Sequence, residues 1–536
     1  VWTGGSEFLS LPPGPACDLL FGTASIAPRA ESLGEGDTAG AESARFVIEF
    51  GGEVRSWQHV QPTTRTGLLT RHRIPIPASD RRRTLELRLE GAPTIAAFLN
   101  PVLAPSRAQQ ARDEPPDLLL FLADTFRADN LTAYGGEHGL TPALDALIED
   151  SLLFERAWTT AIWTLPSQAS MMTGLLPFQH TALRPGRRIP RAAVTLAEHL
   201  RAAGYRTGAI TDAGLVSRRH AFDQGFEFFD ELFRDEFVDT HAAALDFLDA
   251  DDGRPTFLFV QTYRVHRPYR VSAETRAAHG ARLGIEGEFN AVFDELEAAG
   301  WKSGAAPLPP ELEDTVRRLE AQYRGGVIDF DRDFRAFMDA LEQRSFFDAG
   351  RMLFTSDHGE AFAEHGALWH HIGVWETMAR VPFFVHGAGI EPGRSALSAS
   401  LVDVPRTLSA LAGLDPDPTW DGASVLDLTT DRPAWTFQCP PELPGLMGIV
   451  DGPTKVHLEA STAALAPPRL AGTYDLTRDP GEQRPDLLPA STGIDFVTRR
   501  EPLARDALTP RYESDAAPLG SDAEAMLKAL GYLDGE

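Results

Sequence analysis

Apolar and polar positions alternate along the first hundred or so residues. From Ala44 to Leu103 the runs ARFVIEF, TLELRLEG and TIAAFLNPVL change side at every residue and are broken by Gly, Pro and Asp, with no stripe at helical spacing. Period-two alternation puts every second side chain on one face of a strand, so residues 1–112 are expected to form a small antiparallel β-sandwich, an accessory domain. The polar connector APSRAQQARDEPP closes it at Pro116. Beyond that point the pattern changes. DLLLFLAD, TFLFVQTY, RMLFTSD and RVPFFVHG are near-continuous apolar runs of strand length, as strands covered on both faces must be. Helical segments lie between them: Thr141 and Pro142 open TPALDALIEDSLLF, and Gly204 stops VTLAEHLRAAG before the strand RTGAIT. The stretch from Leu312 to Arg344 is amphipathic at helical spacing, with an interruption expected near Arg324-Gly325-Gly326. Strands alternating with helices predict an α/β domain over residues 113–432, a mostly parallel sheet sandwiched by helices. The shorter runs AWTFQC, GIVDGPTKVHLE and GTYDLTRDP, with a closing helix SDAEAMLKALGYL, predict a small C-terminal α+β subdomain over residues 433–536, packed on the α/β domain.

Composition narrows the choice of partner. The chain has 536 residues and a formal net charge of -27, so it repels polyanions at long range, which argues against nucleic acid or an anionic membrane as its target. A small anionic substrate would need a local positive site, which a bound metal could supply. With only Cys17 and Cys439 there is neither a disulfide framework nor a thiolate metal cluster. No apolar run approaches the roughly 20 residues that span a bilayer. The chain starts at Val1, which suits a secreted or periplasmic protein whose signal peptide has been removed, as it also suits a trimmed cytoplasmic one.

In open α/β sheets ligands bind beyond the carboxyl ends of the strands. Three apolar runs end there in chemistry-bearing residues: Asp124 in LADTFRAD, His266 in TYRVHRPY, and the pair Asp357-His358 in TSDHGE. A lone Asp after a strand often caps a helix or forms a turn, whereas adjacent Asp and His at a strand mouth are metal-ligand types. The stretch WTLPSQASMMTG, Trp163 to Gly174, reads as a short helix with Pro166 at its first position and Gly174 at its stop. Thr164 then lies just before the helix, either as an N-cap or as a group held where exposed N–H donors attract anions.

Taken in order from Asp117 to the C-terminus, these segments resemble the sulfatase branch of the alkaline phosphatase superfamily. LADTFRADNLTAYGG resembles its opening strand, TLPSQASMMTG its nucleophile motif CxPSR, FLFVQTYRVHRPY its substrate-histidine strand and TSDHGEAFAEHG its metal segment. The series continues through VWETMARVPFFV, VDVPRTLSALAGL, YDLTRDPGE and LKALGYL, while the first hundred-odd residues lie outside the match. The resemblance implies one divalent metal ion, Ca²⁺, Mg²⁺, Mn²⁺ or Zn²⁺, held by Asp124, Asp357 and His358 with Thr164 as a further ligand. It also implies His266 and one of His370 or His371 as catalytic histidines. Arg127 and Gln168 are candidates for contact with the substrate, Arg127 equally for a structural ion pair, and His365 for a spare ligand or a supporting partner.

The chain departs from that family at telling positions. The formylglycine nucleophile of sulfatases is made from Cys or Ser, but Thr164 stands there, and oxidising its secondary alcohol would give a ketone; no formylglycine is expected. The motif Arg is Gln168, the second carboxylate of the opening strand is Thr125, and the only lysines, Lys302, Lys455 and Lys528, fall outside the matched motifs. A phosphorylated threonine can be released by water at phosphorus, whereas a sulfated one lacks the second hydroxyl that expels sulfate. The expected function is therefore metal-dependent hydrolysis of phosphate or phosphonate esters through Thr164. Sulfate-ester hydrolysis without formylglycine, or a binding protein on an enzyme scaffold, are the alternatives.

Overall fold

The structure is a computed structural model. It describes the strands of the first 105 residues, then residues 115–517 except 233–237, 286–287, 302, 305–306, 371, 440–444, 460–468 and 486, and finally Leu527. His371 and nearly all of the expected closing helix lie outside the described residues. The chain divides into two compact units, residues 1–115 with 243–255, and residues 116–242 with 256–536.

The first unit contains two antiparallel sheets. One has four strands, Gly5–Leu11, Arg83–Glu90, Ser43–Phe50 and Glu53–Val60 in spatial order; the other has three, Leu68–Ile76, Cys17–Ile26 and Ile95–Pro105. The alternating runs thus form strands, and every pairing is antiparallel.

The second unit is built on an eight-stranded sheet in the order Phe228–Glu231, Arg206–Thr211, Thr256–Thr262, Leu118–Ala123, Arg351–Thr355, Phe383–Gly387, Leu152–Trp158 and Gly393–Ser400. Only Phe383–Gly387 runs against its neighbours. The apolar runs explain this placement: Leu118–Ala123 and Thr256–Thr262 are buried at every position because helices cover both faces. One cover is the helix Glu313–Gln343, whose Phe330, Phe334 and Phe337 recur at helical spacing. Phe334 meets Phe121 edge-on at 5.0 Å, and Phe121 stacks on Phe354 at 5.7 Å. The helix is continuous over 31 residues and does not break at Gly325-Gly326. Tertiary packing outweighs the helix-breaking tendency here: a Cβ on Gly325 would stand 2.8 Å from Val271 and 2.9 Å from Ile285, so glycine permits a close approach to a neighbouring segment.

A second four-stranded antiparallel sheet, Ala434–Phe437, Leu446–Asp451, Thr454–Glu459 and Arg469–Asp475, continues from the large one through a backbone bond from Phe437 to Thr160. Lys455, fully buried on its third strand, is neutralised by Glu376 at 2.8 Å and Glu482 at 3.1 Å, and His457 bonds the same Glu482 at 2.9 Å. This lysine ties the C-terminal sheet to the segment that follows His370. Cys439 is a buried free thiol.

Three further histidines are held neutral inside this unit. His180 accepts from the Ala182 N–H through Nδ1 and reaches the Pro166 carbonyl and Ser170 hydroxyl through Nε2, each at 3.1 Å. Burial pushes its pKa down to about 3, that of His241 to about 3 and that of His220 to about 4. Folded pKa values below the unfolded value near 6.5 mean that the unfolded chain binds more protons below that pH, so stability is full above it and drains as pH falls toward 4. Unfolding followed at pH 7 and pH 5 should lose roughly 2 kcal/mol per such histidine. His241→Leu, which keeps an apolar side chain against Phe337 and Phe121, should flatten the dependence; an unchanged slope in that variant would count against this origin of acid lability.

Candidate active site

The strands Leu118–Ala123 and Arg351–Thr355 are adjacent and parallel, so Asp124 and the Asp357-His358 pair emerge together at their carboxyl ends. Backbone bonds fix the directions. Asp124 N–H is held by the Thr262 carbonyl at 3.0 Å, and the Asp357 Oδ1 atom accepts from the N–H groups of His358 at 3.0 Å and Thr125 at 3.3 Å. His358 donates its Nδ1–H to the Gly359 carbonyl at 2.9 Å, which leaves the Nε2 lone pair for a ligand.

The nucleophile-motif helix spans Thr164–Thr173, with Trp163 at the N-cap position. It therefore starts earlier than the sequence pattern suggests, with Pro166 as its third residue. Proline is tolerated there because the first four helix N–H groups have no intrahelical acceptor to lose. All ten residues are buried, and Ser167 anchors the helix by donating to the Asp357 carbonyl at 2.7 Å. Thr164 lies inside the first turn, its Oγ1 at 3.2 Å from Asp124 Oδ2 and 3.4 Å from His358 Nε2.

Asp124, Asp357 and His358 offer ligand atoms all within 4.8 Å of one another, and all three are buried. His358 Nε2 stands 3.6 Å from Asp357 Oδ2 and 4.0 Å from Asp124 Oδ1, spacings that one divalent ion bonded at roughly 2.0–2.6 Å can span. Asp124 Oδ1 is buried and accepts no hydrogen bond among the described residues. Burial, and after it the facing Asp357, raises the Asp124 pKa well above the usual carboxylate range, as expected of two carboxylates brought together without a cation. The donor set thus fits a divalent metal.

Gln168 lies between these carboxylates, its Nε2 at 2.8 Å from Asp357 Oδ2 and 3.3 Å from Asp124 Oδ2. Only the amide NH₂ can face two carboxylate oxygens, so the network dictates the orientation. Arg127 is engaged by Asp129 at 2.6 Å, by Glu364 at 2.7 Å and by the Glu360 carbonyl at 3.0 Å. Its position is that of a brace for the loop after the metal segment. His365 stacks on Trp375 at 3.7 Å and bonds the Gly481 carbonyl, outside the metal cluster.

His266 and His370 meet beside the cluster. Their rings are 5.3 Å apart, and His370 lies 4.4 Å from the ring of His358. His266 donates its Nδ1–H to the Arg267 carbonyl at 2.7 Å; burial, then the neighbouring His370, lowers its pKa well below the ordinary value. His370 gives its Nδ1–H to Glu360 Oε1 at 2.8 Å, and the other Glu360 oxygen accepts from the Tyr269 hydroxyl at 2.8 Å. Sequence reasoning missed Glu360 and Tyr269. The signal for Glu360 was in plain view, a second acidic residue in TSDHGE two positions after His358, at the mouth of a buried strand.

Residues 116–414, more than half of the chain, match the sulfatase family profile. The chain is 23% identical over 425 residues to the choline-sulfatase of Rhizobium meliloti (strain 1021), covering 68% of this chain and 81% of that protein. It is 26% identical over 396 residues to the multifunctional alkaline phosphatase superfamily protein PehA of Trinickia caryophylli, covering 58% and 76%. Among solved structures, the phosphonate monoester hydrolase of Agrobacterium radiobacter superposes with a TM-score of 0.58 at 20% identity, over 73% of this chain and 96% of that one. With its buried metal-ligand cluster at the carboxyl edge of a mostly parallel sheet and this match along the α/β unit, the chain belongs to the sulfatase family, a hydrolase of the alkaline phosphatase superfamily.

Proposed function

We propose that the protein hydrolyses phosphate or phosphonate esters through Thr164. The observation that carries this reading is the position of the Thr164 hydroxyl, which lies beside Asp124 Oδ2 and His358 Nε2 in the first turn of a buried helix. A divalent ion bound by Asp124, Asp357 and His358 would lower the pKa of that hydroxyl and neutralise charge on the ester. Thr164 gives its hydroxyl proton to water and its Oγ1 attacks phosphorus in line: its bond to phosphorus forms as the bond from phosphorus to the leaving alkoxide breaks. The helix N–H groups face the equatorial oxygens. His370, oriented by Glu360 as a carboxylate orients a catalytic imidazole, gives a proton to the alkoxide, and His266 holds the substrate oxygens from the other side. Water then attacks phosphorus, giving a proton back to His370, while the bond to Thr164 breaks, Oγ1 takes up a proton from solvent, and the phosphate or phosphonate leaves.

Charge narrows the substrate class. Gln168 is neutral, Arg127 is matched by Asp129 and Glu364, and the buried Lys455 is matched by Glu376 and Glu482. Among the described residues, Arg267, next to His266 in the chain and 4.7 Å over the Trp369 ring, is a cationic side chain close to these histidines. This modest positive complement suits a singly charged ester, a phosphodiester or a phosphonate monoester, better than a doubly charged phosphomonoester.

Metal-reconstituted protein assayed on matched aryl phosphodiester, phosphonate monoester, phosphomonoester and sulfate ester is expected to turn over the first two fastest. Thr164→Ala should lower kcat by at least about a thousandfold with its fold intact. Dominant sulfate turnover would show that the family's sulfatase chemistry persists without formylglycine, and full activity in Thr164→Ala would remove Thr164 as the nucleophile. Chelation of the wild-type enzyme should abolish turnover, and His358→Ala should weaken Mn²⁺ or Zn²⁺ binding about tenfold or more in an equilibrium titration; undiminished binding would place the metal elsewhere.

A further inference from the structure

Five polar atoms close a circuit at the carboxyl edge of the large sheet. Thr164 Oγ1 lies 3.4 Å from His358 Nε2, which lies 3.6 Å from Asp357 Oδ2. Asp357 Oδ2 is 2.8 Å from Gln168 Nε2, which is 3.3 Å from Asp124 Oδ2, and Asp124 Oδ2 returns to Thr164 Oγ1 at 3.2 Å. Neighbouring ligands of a six-coordinate ion stand about 2.8–3.7 Å apart when each bond is roughly 2.0–2.6 Å. All the edges of the circuit fall in that interval, those that involve Gln168 included. The Gln168 side chain is fully buried, and among the described residues nothing donates to its Oε1. A buried carbonyl oxygen without a donor is costly, and this one belongs to the same amide that occupies a corner of the circuit.

We infer that Gln168 is itself a metal ligand, its amide oxygen the donor that joins Asp124, Asp357, His358 and Thr164. The amide NH₂ faces the two carboxylates. With a divalent cation inside the circuit, those carboxylate oxygens give their lone pairs to the ion, and N–H groups at the same corner would aim positive charge at positive charge. A half-turn about Cγ–Cδ exchanges Nε2 for Oε1, whose lone pairs then face the ion, and it forfeits no hydrogen bond at the oxygen's present place. The turn needs no backbone movement, so the helix keeps its tie from Ser167 to the Asp357 carbonyl at 2.7 Å. This donor set bears on which ion the site prefers. Oxygen ligands with one imidazole suit a six-coordinate Mn²⁺, Mg²⁺ or Ca²⁺, with the sixth position left to an oxygen of the ester. Zn²⁺ is commonly satisfied by a tetrahedral set, which Asp124, Asp357, His358 and Thr164 supply without the amide. Gln168 therefore biases the site toward six-coordinate ions.

This inference rests on the metal site invoked for the proposed function, and its test is read by binding rather than turnover. Wild type and Gln168→Leu are titrated with Mn²⁺ and with Zn²⁺ against a chromogenic chelator, after melting curves verify that each is folded. Gln168→Leu is expected to weaken Mn²⁺ binding about tenfold or more and Zn²⁺ binding by less than about threefold. An amide that only orients the carboxylates from outside would weaken both ions alike. Equal losses, a larger loss for Zn²⁺, or no loss for either ion therefore overturn the assignment. A crystal structure of the Mn²⁺-loaded wild type gives a second reading that needs no variant. The ion, located by its anomalous scattering, is expected about 2.0–2.6 Å from the Gln168 amide, and a longer separation overturns the ligand. A wild type that binds neither ion overturns the metal site and this inference together. The expected selectivity in a protein that turns over no ester supports the inference and counts against the proposed function alone.

Discussion

Two carboxylates that must share one dry space govern the architecture of this site. Asp124 and Asp357 leave neighbouring parallel strands at the same level, both fully buried, and neither can move away because the sheet fixes their backbones. Bringing like charges together in a poorly solvated pocket costs several kcal/mol unless a cation or hydrogen bonds compensate. The surrounding residues answer that cost. Two backbone N–H groups hold one Asp357 oxygen, the Gln168 amide holds the other, and the Thr164 hydroxyl lies against Asp124. His358 turns its lone pair inward because its other nitrogen is bound to the Gly359 carbonyl. The helix that carries Thr164 and Gln168 is tied to the Asp357 carbonyl through Ser167, which fixes it to the segment that carries Asp357 and His358.

Around this centre lies a second polar layer that sets direction rather than charge. Glu360 links His370 to Tyr269, and its backbone carbonyl receives Arg127, which in turn holds Glu364. Burial raises the pKa of Glu360, while His266 and the Tyr269 hydroxyl act against the rise. A carboxylate behind an imidazole steadies both its tautomer and its protonated form, so the His370 ring is held in a fixed direction. Farther out, the buried Lys455 joins Glu376 and Glu482; this ion pair network fastens the loop after His370 to the C-terminal sheet, where a single unpaired charge would be costly.

The sequence made some of this plain and hid the rest for physical reasons. Strands buried on both faces write themselves as unbroken apolar runs, so the central sheet was legible, and with it the rule that Asp124, Asp357 and His358 lie at its carboxyl edge. Helix bounds were less legible. Pro166 can occupy several positions in a first turn, and Gly325 is a helix breaker only where nothing packs against it. The hardest to read were partners far apart in sequence: Arg127 with Glu364, Gln168 with Asp124, and Lys455 with Glu376. Charge type and local spacing do not reveal such pairings, because only the folded chain decides which carboxylate a given cation meets. Glu360 lies between these cases: its place in TSDHGE marks it as close to the metal cluster, and only the structure shows that it faces His370.

Membership in the sulfatase family does not by itself fix the chemistry, because a fold carries a site and the site carries the reaction. The deciding atom is the carbon that bears the nucleophilic oxygen. An aldehyde hydrate has two hydroxyls on that carbon, so one can carry the sulfate while the other collapses and expels it, and sulfur is never attacked by water. The corresponding carbon of Thr164 bears a methyl group instead, and a group transferred to Oγ1 can leave only when an outside nucleophile attacks the transferred atom. Phosphorus accepts such attack, particularly where a cation and helix N–H groups draw charge from its equatorial oxygens. On the proposed reading, that methyl group closes the sulfatase route and leaves the phosphoryl route open, with Thr164, buried next to Asp124 and His358, as its nucleophile.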